Sequence, residues 1–390
     1  MKFSSLATVT QLSEFDEVID VRSPSEFEID HAPGAISLPV LDDGERARVG
    51  ILYKQVSSFD AKKIGAALVA RNIAKHIETE LVTRRKNWRP LVYCWRGGNR
   101  SASLAHVLQK IGWDAHTLDG GYKAYRRHVV AEIERLAPLF HYCIVCGPTG
   151  SGKSHLLQAL ARQGGQVLDL EELAAHRGSV LGNLPHRPQP AQKLFESRLW
   201  HALQGFNPKR TVFVEAESKK IGLLRVPENL IDRMWQSPCV RVDVPMAARI
   251  DFLKREYSHF LSDFADLEEK LSCLNSLYGA KKIGDWLAHA KRQDWDALVE
   301  ELLTEHYDPA YQRSTLTHFP SLSAAPVLRA DEIGQDSIEQ LAMELLKLET
   351  VVNRATGYSI SLKNETSQRR LGDETVQIGT LIGRTSFGEV

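Results

Sequence analysis

No apolar run in this chain approaches the roughly 18–20 residues that a bilayer-spanning helix needs, so hydropathy gives no membrane span. An excess of charge of either sign is also missing. The 49 basic and 49 acidic side chains cancel, so any nucleic-acid site must be a local patch and not a global field. Cysteine is scarce and odd in number, five in 390 residues, which fits a reducing cytosol better than a disulfide framework. The N-terminal stretch offers Lys2 but soon meets Glu14, Asp16 and Glu17 without an apolar core, so no signal peptide is read and a cytoplasmic protein is expected. With 43% hydrophobic and 25% charged residues the composition is that of a soluble globular protein, long enough for two domains and a tail.

The densest chemistry lies in Tyr93-Cys94-Trp95-Arg96-Gly97-Gly98-Asn99-Arg100-Ser101. Leu91 to Tyr93 reads as a strand end, and from Ser101 the apolar positions Leu104, Val107, Leu108 and Ile111 fall on one helical face. Gly97 and Gly98 let the backbone curl between them through positive φ. Cys94 is thereby expected in a tight loop at a helix N-terminus, where backbone N–H groups hold an anion. Arg96 and Arg100 add positive charge. Together these effects predict a lowered thiol pKa and a nucleophilic Cys94.

Around this loop, strands alternate with helices. Glu17 to Arg22 reads as a strand leading into a turn at Ser23-Pro24, and Ala35 to Leu38 as another. Residues 43–57 read as helix or loop, a helical pattern runs through Ile64, Leu68, Ile73 and Ile77, and Asp114 to Leu118 is a third flanking strand. Such alternation predicts a parallel α/β sheet, whose ligands bind at the carboxyl ends of strands. The basic run Arg84-Arg85-Lys86-Asn87-Trp88-Arg89 reads first as a solvated turn, with an RNA-facing patch as the alternative. This half resembles the rhodanese family through Asp20-Val21-Arg22-Ser23-Pro24-x-Glu26-Phe27, His31-x-Pro33-Gly34-Ala35, the Cys94 loop and Leu118-Asp119-Gly120-Gly121. Rhodaneses carry sulfur on the loop cysteine as a persulfide. Five residues separate Cys94 from Arg100, one more than in usual sulfur carriers, which suggests room for a bulkier group and is also the Cys-x5-Arg spacing of phosphatases.

A connecting helix is expected over Lys123 to Leu139, its first turns made basic by Lys123, Arg126, Arg127 and His128 and read as a surface face, with an RNA contact as the alternative. Tyr142 to Cys146 is a buried strand. Its Cys143-x-x-Cys146 spacing reads as core packing because it lies within the strand. Gly147-Pro148-Thr149-Gly150-Ser151-Gly152-Lys153-Ser154 matches G-x-x-x-x-G-K-[ST] in a strand-to-helix context. Backbone N–H groups of Gly147, Thr149, Gly150, Ser151 and Gly152 would close on a di- or triphosphate. Lys153 would supply charge, and Ser154 a hydroxyl for Mg²⁺ or a phosphate oxygen. Thr211 to Glu215 is a second buried strand ending in acid, so Glu215 or Glu217 could hold Mg²⁺ through water, a solvated strand end being the alternative; no metal site is certain. His176, Arg177 and Ser179, clustered around Gly178, lean toward substrate contact, against a helix C-terminus complementing the macrodipole. Val240 to Val244 is a strand, Met246 to Tyr257 a helix, and residues 259–304 read as charged helices. There Lys281, Lys282, Lys291 and Arg292 near Trp286 and Trp295 form a solvated face or a tRNA surface. His306 to Tyr311 reads as a compact turn.

The fold class expected is α/β with two parallel-sheet domains: a rhodanese-like domain over 1–130, and a P-loop NTPase-like domain with a helical region over 131–318. Residues 319–390 are set apart as a C-terminal extension, partly linker or tail, with a strand at Val327 to Ala330, a helix at Ile338 to Leu348, and alternation at Tyr358 to Leu362 and Val376 to Ile382. The combination resembles the bacterial tRNA 2-selenouridine synthase family. The resemblance rests on the Cys94 loop, the Gly147–Ser154 loop, Leu173-Ala174-x-His176-Arg177-Gly178-Ser179, Glu215-x-Glu217-Ser218-x-x-Ile221-Gly222 and Tyr307-Asp308-Pro309-x-Tyr311. Asn99 stands where many members have methionine, and the pattern would place retuning of the loop there. The resemblance implies geranylation of a tRNA wobble 2-thiouridine by geranyl diphosphate, followed by selenation from selenophosphate through Cys94 as S-selanylcysteine. It implies these two co-substrates and no tightly bound cofactor, with Mg²⁺ as an option, and tRNA as partner of a monomer. A rhodanese-type sulfurtransferase or Cys-dependent phosphatase fused to a nucleotide-binding domain, and a regulatory module switched by ATP, remain as other readings.

Overall fold

Pro90 to Tyr93 are buried at every position because helices cover both faces of the strand they form. The computed structural model describes residues 6–179, 181–184 and 187–356. Its first sheet consists of β1 (Leu6–Ala7), β2 (Glu17–Asp20), β3 (Ile36–Ser37), β4 (Pro90–Tyr93) and β5 (His116–Leu118). All pairings are parallel, in the order β1-β5-β4-β2-β3, which puts β4 at the centre. The covering helices are α1 (Pro24–Ile29), α2 (Asp43–Gln55), α3 (Ser58–His76), α4 (Asn99–Ile111) and α5 (Gly121–Leu136). Their starts follow local chemistry. Pro24 takes the first position of α1, where no intrahelical N–H bond is lost, and Asp42 caps α2 by accepting from the Glu45 N–H at 2.7 Å. Inside, Arg22 is buried with Asp20 (2.6 Å) and stacks its guanidinium 3.9 Å from the Tyr122 ring.

The second sheet contains β6 (His141–Cys146), β7 (Gln166–Leu168), β8 (Thr211–Glu215), β11 (Cys239–Asp243) and β12 (Val327–Arg329), with a small hairpin of β9 (Lys220–Ile221) and β10 (Leu224–Arg225) beside it. Its order is β12-β11-β6-β8-β7, all parallel. The helices are α6 (Lys153–Arg162), α7 (Leu170–Ala174), α8 (Gln192–Gln204), α9 (Glu228–Trp235) and α10 (Met246–Glu256). A helical layer follows: α11 (Ser258–Ser262), α12 (Phe264–Ser272), α13 (Asn275–Lys291), α14 (Trp295–Glu301), α15 (Asp308–His318) and finally α16 (Gln335–Thr356). Among the described residues no helix is long and apolar enough to cross a membrane.

Two expectations change. Residues 319–356 are no loose extension. Pro320 to Ala324 form a short 3₁₀ turn, Ser321 donates to the Ser237 carbonyl (2.8 Å), β12 completes the second sheet, and Glu339 on α16 pairs with Arg162 on α6 (2.6 Å). Hydrophobic burial explains this, since Ile333, Ile338, Leu341 and Leu345 seal the core around α6. His306 to Tyr311 is not a turn but the join of a π-helical segment (Leu302–Tyr307) to α15. The alternating stretches at 358–362 and 376–382 lie outside the described residues.

At the basic start of α5, Lys123 and Arg127 are exposed, whereas Arg126 and His128 are engaged by the second domain. Arg126 pairs with Glu196 and donates to the Lys193 carbonyl (3.3 Å), and His128 and Tyr125 meet Trp200 edge-on. Asp30 of the first domain accepts from Ser197 (2.7 Å) of the second and from Tyr122 (2.8 Å). These contacts fix the relative orientation of the two sheets. The start of α5 meets the start of α8, and at the far end Phe140 meets Phe206 (5.8 Å), so α5 and α8 run in the same direction. Helix α8 leads into β8, which is parallel to β6, and so opposes β6. The N-terminal end of α5 and the C-terminal end of β6 therefore share one end of the molecule.

Candidate functional site

Cys94 follows β4 directly, and its sulfur is held by three short-range neighbours. The Gly98 N–H and the Ser101 hydroxyl each donate to Sγ at 3.2 Å, and the Gly98 carbonyl lies 3.7 Å away. Burial opposes ionisation. The Ser101 hydroxyl and amide, the Gly98 amide and the Arg100 charge outweigh it, so the thiol pKa falls below its ordinary value. The loop carbonyls are tied to α5: Tyr122 N–H donates to the Cys94 carbonyl (2.8 Å) and Lys123 N–H to that of Trp95 (3.1 Å). Such closeness requires Gly121, since a Cβ there would lie 2.4 Å from the Cys94 carbonyl oxygen and 2.4 Å from the Gly97 nitrogen. Only Gly97 takes positive φ (+67°). Gly98 is extended and caps α4, so one curl does the work expected of two.

The flanking side chains divide. Arg100 is pinned to Glu26 (3.0 Å), which also holds Arg46 (2.9 Å). Arg96 is exposed on the loop rim. Trp95 is 36% exposed and stacks on Tyr122 at 5.3 Å, offering a flat aromatic face beside the sulfur. Asn99 is exposed at the start of α4, its carbonyl accepting from Ser103 (2.8 Å).

The phosphate loop follows β6 in the same strand–loop–helix form. Gly150 and Gly152 take φ of +82° and +78°, which points successive amides inward, and α6 begins at Lys153. The loop is braced from outside: Tyr311 OH accepts from the Gly147 N–H (2.6 Å), Arg249 donates to the Thr149 carbonyl (2.9 Å), and Asp308 holds Arg249 (2.6 Å). Ile333 and Ile338 press on the Gly152 position, so the C-terminal segment buttresses the loop. The Ser151 hydroxyl is buried without a partner. Lys153 Nζ sits 3.5 Å from Glu215, and Ser154 donates to Glu171 (3.0 Å) and Glu215 (3.3 Å).

Carboxylates crowd this loop. Ligand atoms of Glu171, Glu215 and Glu217 lie within 4.8 Å of one another. Burial, then Glu215, pushes Glu217 up to about 8 and Glu171 well above the usual carboxylate range, and burial raises Asp169 to about 6. Glu215 and Glu217 are expected from the sequence but Glu171 is not, its only local signal being its place after a strand end. His176, Arg177 and Ser179 line the same cleft as Gly150, Lys153 and Ser154. His176 is buried and accepts from the Gly178 N–H (3.1 Å). Arg177 pairs with Glu256 (3.1 Å) and lies over the Tyr257 ring. They stand on the segment after α7, not on its last turn, so a role in complementing the helix dipole does not apply.

In the basic-aromatic stretches Arg85, Lys86, Lys281, Lys291 and Arg292 are exposed, while the other cations are paired and the tryptophans Trp88 and Trp286 are core. Arg84 pairs with Glu17 (2.8 Å), Arg89 with Asp114 (3.0 Å), and Trp88 is buried between them and the sheet. Lys282 bridges Glu301 and Glu305, and Trp286 is fully buried. The paired Cys143 and Cys146 are core residues, as their place in β6 predicts.

Two families match the chain: one described as rhodanese-like domain over residues 5–128, and one described as tRNA 2-selenouridine synthase AAA domain over residues 140–282. The chain is similar to a tRNA 2-selenouridine synthase of Nitrosomonas europaea, 36% identical over 244 residues, covering 62% of this chain and 63% of that protein. It is similar to one of Bdellovibrio bacteriovorus, 31% identical over 341 residues, covering 75% and 87%. The corresponding Aeromonas salmonicida protein is 36% identical over 332 residues, covering 75% and 86%.

Proposed function

The chain belongs to the tRNA 2-selenouridine synthase family, and from that premise we propose that it converts a wobble 2-thiouridine of tRNA to 2-selenouridine in two steps, in the cytoplasm. The observation that carries this reading is the shared end. A thiolate loop and a phosphate loop, on separate sheets, lie toward the same end of the molecule, the end at which α5 and α8 begin. In this reading one anticodon loop visits both in turn.

In the first step the thiouridine sulfur attacks C1 of geranyl diphosphate, the carbon–oxygen bond breaks, and diphosphate leaves. The amides of Gly150 to Gly152 and the Lys153 ammonium take up the growing negative charge, which is how electrostatic catalysis lowers such a barrier. The cleft around Lys153 is otherwise acidic, so a diphosphate needs a cation to enter. Glu171, Glu215, Glu217 and the Ser154 hydroxyl form a set of hard oxygen donors that fits Mg²⁺. When bound, that ion would offset the charge of the diphosphate.

In the second step selenium is supplied as selenophosphate and carried on Cys94 as S-selanylcysteine. Its S–Se bond forms as phosphate is lost to water and a disulfide-class oxidant takes up two electrons. The terminal selenium attacks C2 of the base. The C2–S bond breaks and the geranylthiolate departs. Alkylation makes that sulfur a better leaving group than a thiocarbonyl. A thiol reductant afterwards cleaves the S–Se bond to free the 2-selenouridine and the Cys94 thiolate. The Gly98 N–H and Ser101 hydroxyl that stabilise the Cys94 thiolate are placed to hold the anionic selenium in turn.

Mass spectrometry of tRNA nucleosides tests the division of labour. With Cys94→Ser, S-geranyl-2-thiouridine accumulates and 2-selenouridine disappears. With Lys153→Ala, the geranylated nucleoside itself is lost. Equal loss of both products in folded Cys94→Ser protein would contradict the scheme.

A further inference from the structure

Beside the phosphate cleft lies a second chamber walled almost entirely by carbon, among Phe260, Leu267, Trp295, Leu298, Leu302 and Leu303 of the helical layer. The two spaces adjoin: Thr149 of the phosphate loop, Leu253 and Tyr257 line both. Lys254 lends the chamber only its stem, because its ammonium turns to Asp251 and Asp296. Leu261 stands at its mouth, 40% exposed.

A polar ligand part gains nothing in such a space, since ribose or a purine edge would lose water partners without replacement. A hydrocarbon gains by leaving water. The adjoining cleft asks for the opposite chemistry, inward amides and a lysine. We propose that the chamber is the tail site for an alkyl diphosphate of the isoprenoid type, its head on the phosphate loop and its hydrocarbon among the helices. Thr149 marks the boundary, so the carbon bearing the diphosphate lies at the junction of the two spaces. This rests on the diphosphate reading of the phosphate loop, and adds that the helical layer, not the phosphate loop, selects the tail.

Calorimetry on the full chain with Mg²⁺, supported by the fluorescence of Trp295 against a Trp295→Phe control, tests it with inorganic diphosphate, dimethylallyl diphosphate, geranyl diphosphate and ATP. Geranyl diphosphate is expected to bind at least about tenfold more tightly than inorganic diphosphate, with dimethylallyl diphosphate between them and ATP no tighter than inorganic diphosphate. Val299→Phe narrows the chamber and Leu261→Asp charges its mouth. Each is expected to cut the geranyl advantage below about threefold and leave inorganic diphosphate binding unchanged. Equal affinity of geranyl and inorganic diphosphate in the unaltered protein overturns the tail site and leaves the diphosphate reading intact. Failure of every diphosphate to bind overturns both.

Discussion

The two loops share a blueprint and differ in where their charge comes from. Each follows a buried parallel strand, curls through a positive-φ glycine and opens a helix. At Cys94 the anion is the protein's own sulfur, already solvated by an amide and a hydroxyl at 3.2 Å. At Lys153 the protein brings the wrong sign: three carboxyl groups gather around one ammonium. The first loop is complete without a ligand. The second is under electrostatic stress that only a cation or proton relieves. A cradle for a covalent carrier must be ready before its cargo, whereas a cradle for an exchanging diphosphate must admit and release charge in each turnover.

The strongest way to break the comparison is at Gly121. Gly121→Ala puts a Cβ against the Cys94 carbonyl and the Gly97 nitrogen, both 2.4 Å away, so the loop must move. Selenation is expected to vanish while geranylation continues, as nucleoside mass spectrometry would read. Next is Lys153→Ala, expected to lower the geranylation rate by about 10²–10³, the cost of removing one preorganised charge-stabilising donor; single-turnover kinetics would measure it.

The charge stress at the second loop makes a pH prediction. Glu217 has a folded pKa of about 8 against an ordinary 4.5. A raised carboxyl pKa contributes stability that is complete below the unfolded value and lost as pH rises through the folded one. Without divalent cation the melting temperature should therefore decline between about pH 5 and pH 8.5. Glu217→Gln or added Mg²⁺ should flatten that decline, and thermal melts across pH would show it. A Glu217→Gln protein with an unchanged slope would remove this residue from the account.

The smallest effect expected is at Ser101. Removing its hydroxyl by Ser101→Ala raises the Cys94 pKa toward ordinary thiols. Alkylation by iodoacetamide at pH 7 should slow by about tenfold or less, since one pKa unit is a tenfold change in thiolate fraction. The rate at pH 10 should hardly change.

Most of the first loop was legible because its parts are neighbours in sequence. Strand, glycine, serine and helix start fall within Tyr93 to Ser101, and local periodicity and φ preference suffice to arrange them. What it hid was the role of the Gly120-Gly121 pair, which reads as an ordinary turn until α5 closes on the Cys94 carbonyl. Gly98, expected to curl, is extended, because Gly97 alone turns the chain. The second loop was legible as a motif and opaque as a site. Glu171 sits in the first turn of α7, which follows β7, while Glu215 ends β8, and only the pairing of β7 with β8 brings them together.

The chain by itself determined two strand–loop–helix anion cradles, their nucleophile and their lysine, because such cradles are built from contiguous residues whose backbone preferences are local. Tertiary structure alone decided that both lie toward one end, that three carboxylates converge on the lysine, and that residues after 319 brace the phosphate loop through Ile333 and Ile338. Those arrangements depend on which apolar faces bury one another across long separations, and no local pattern encodes that choice.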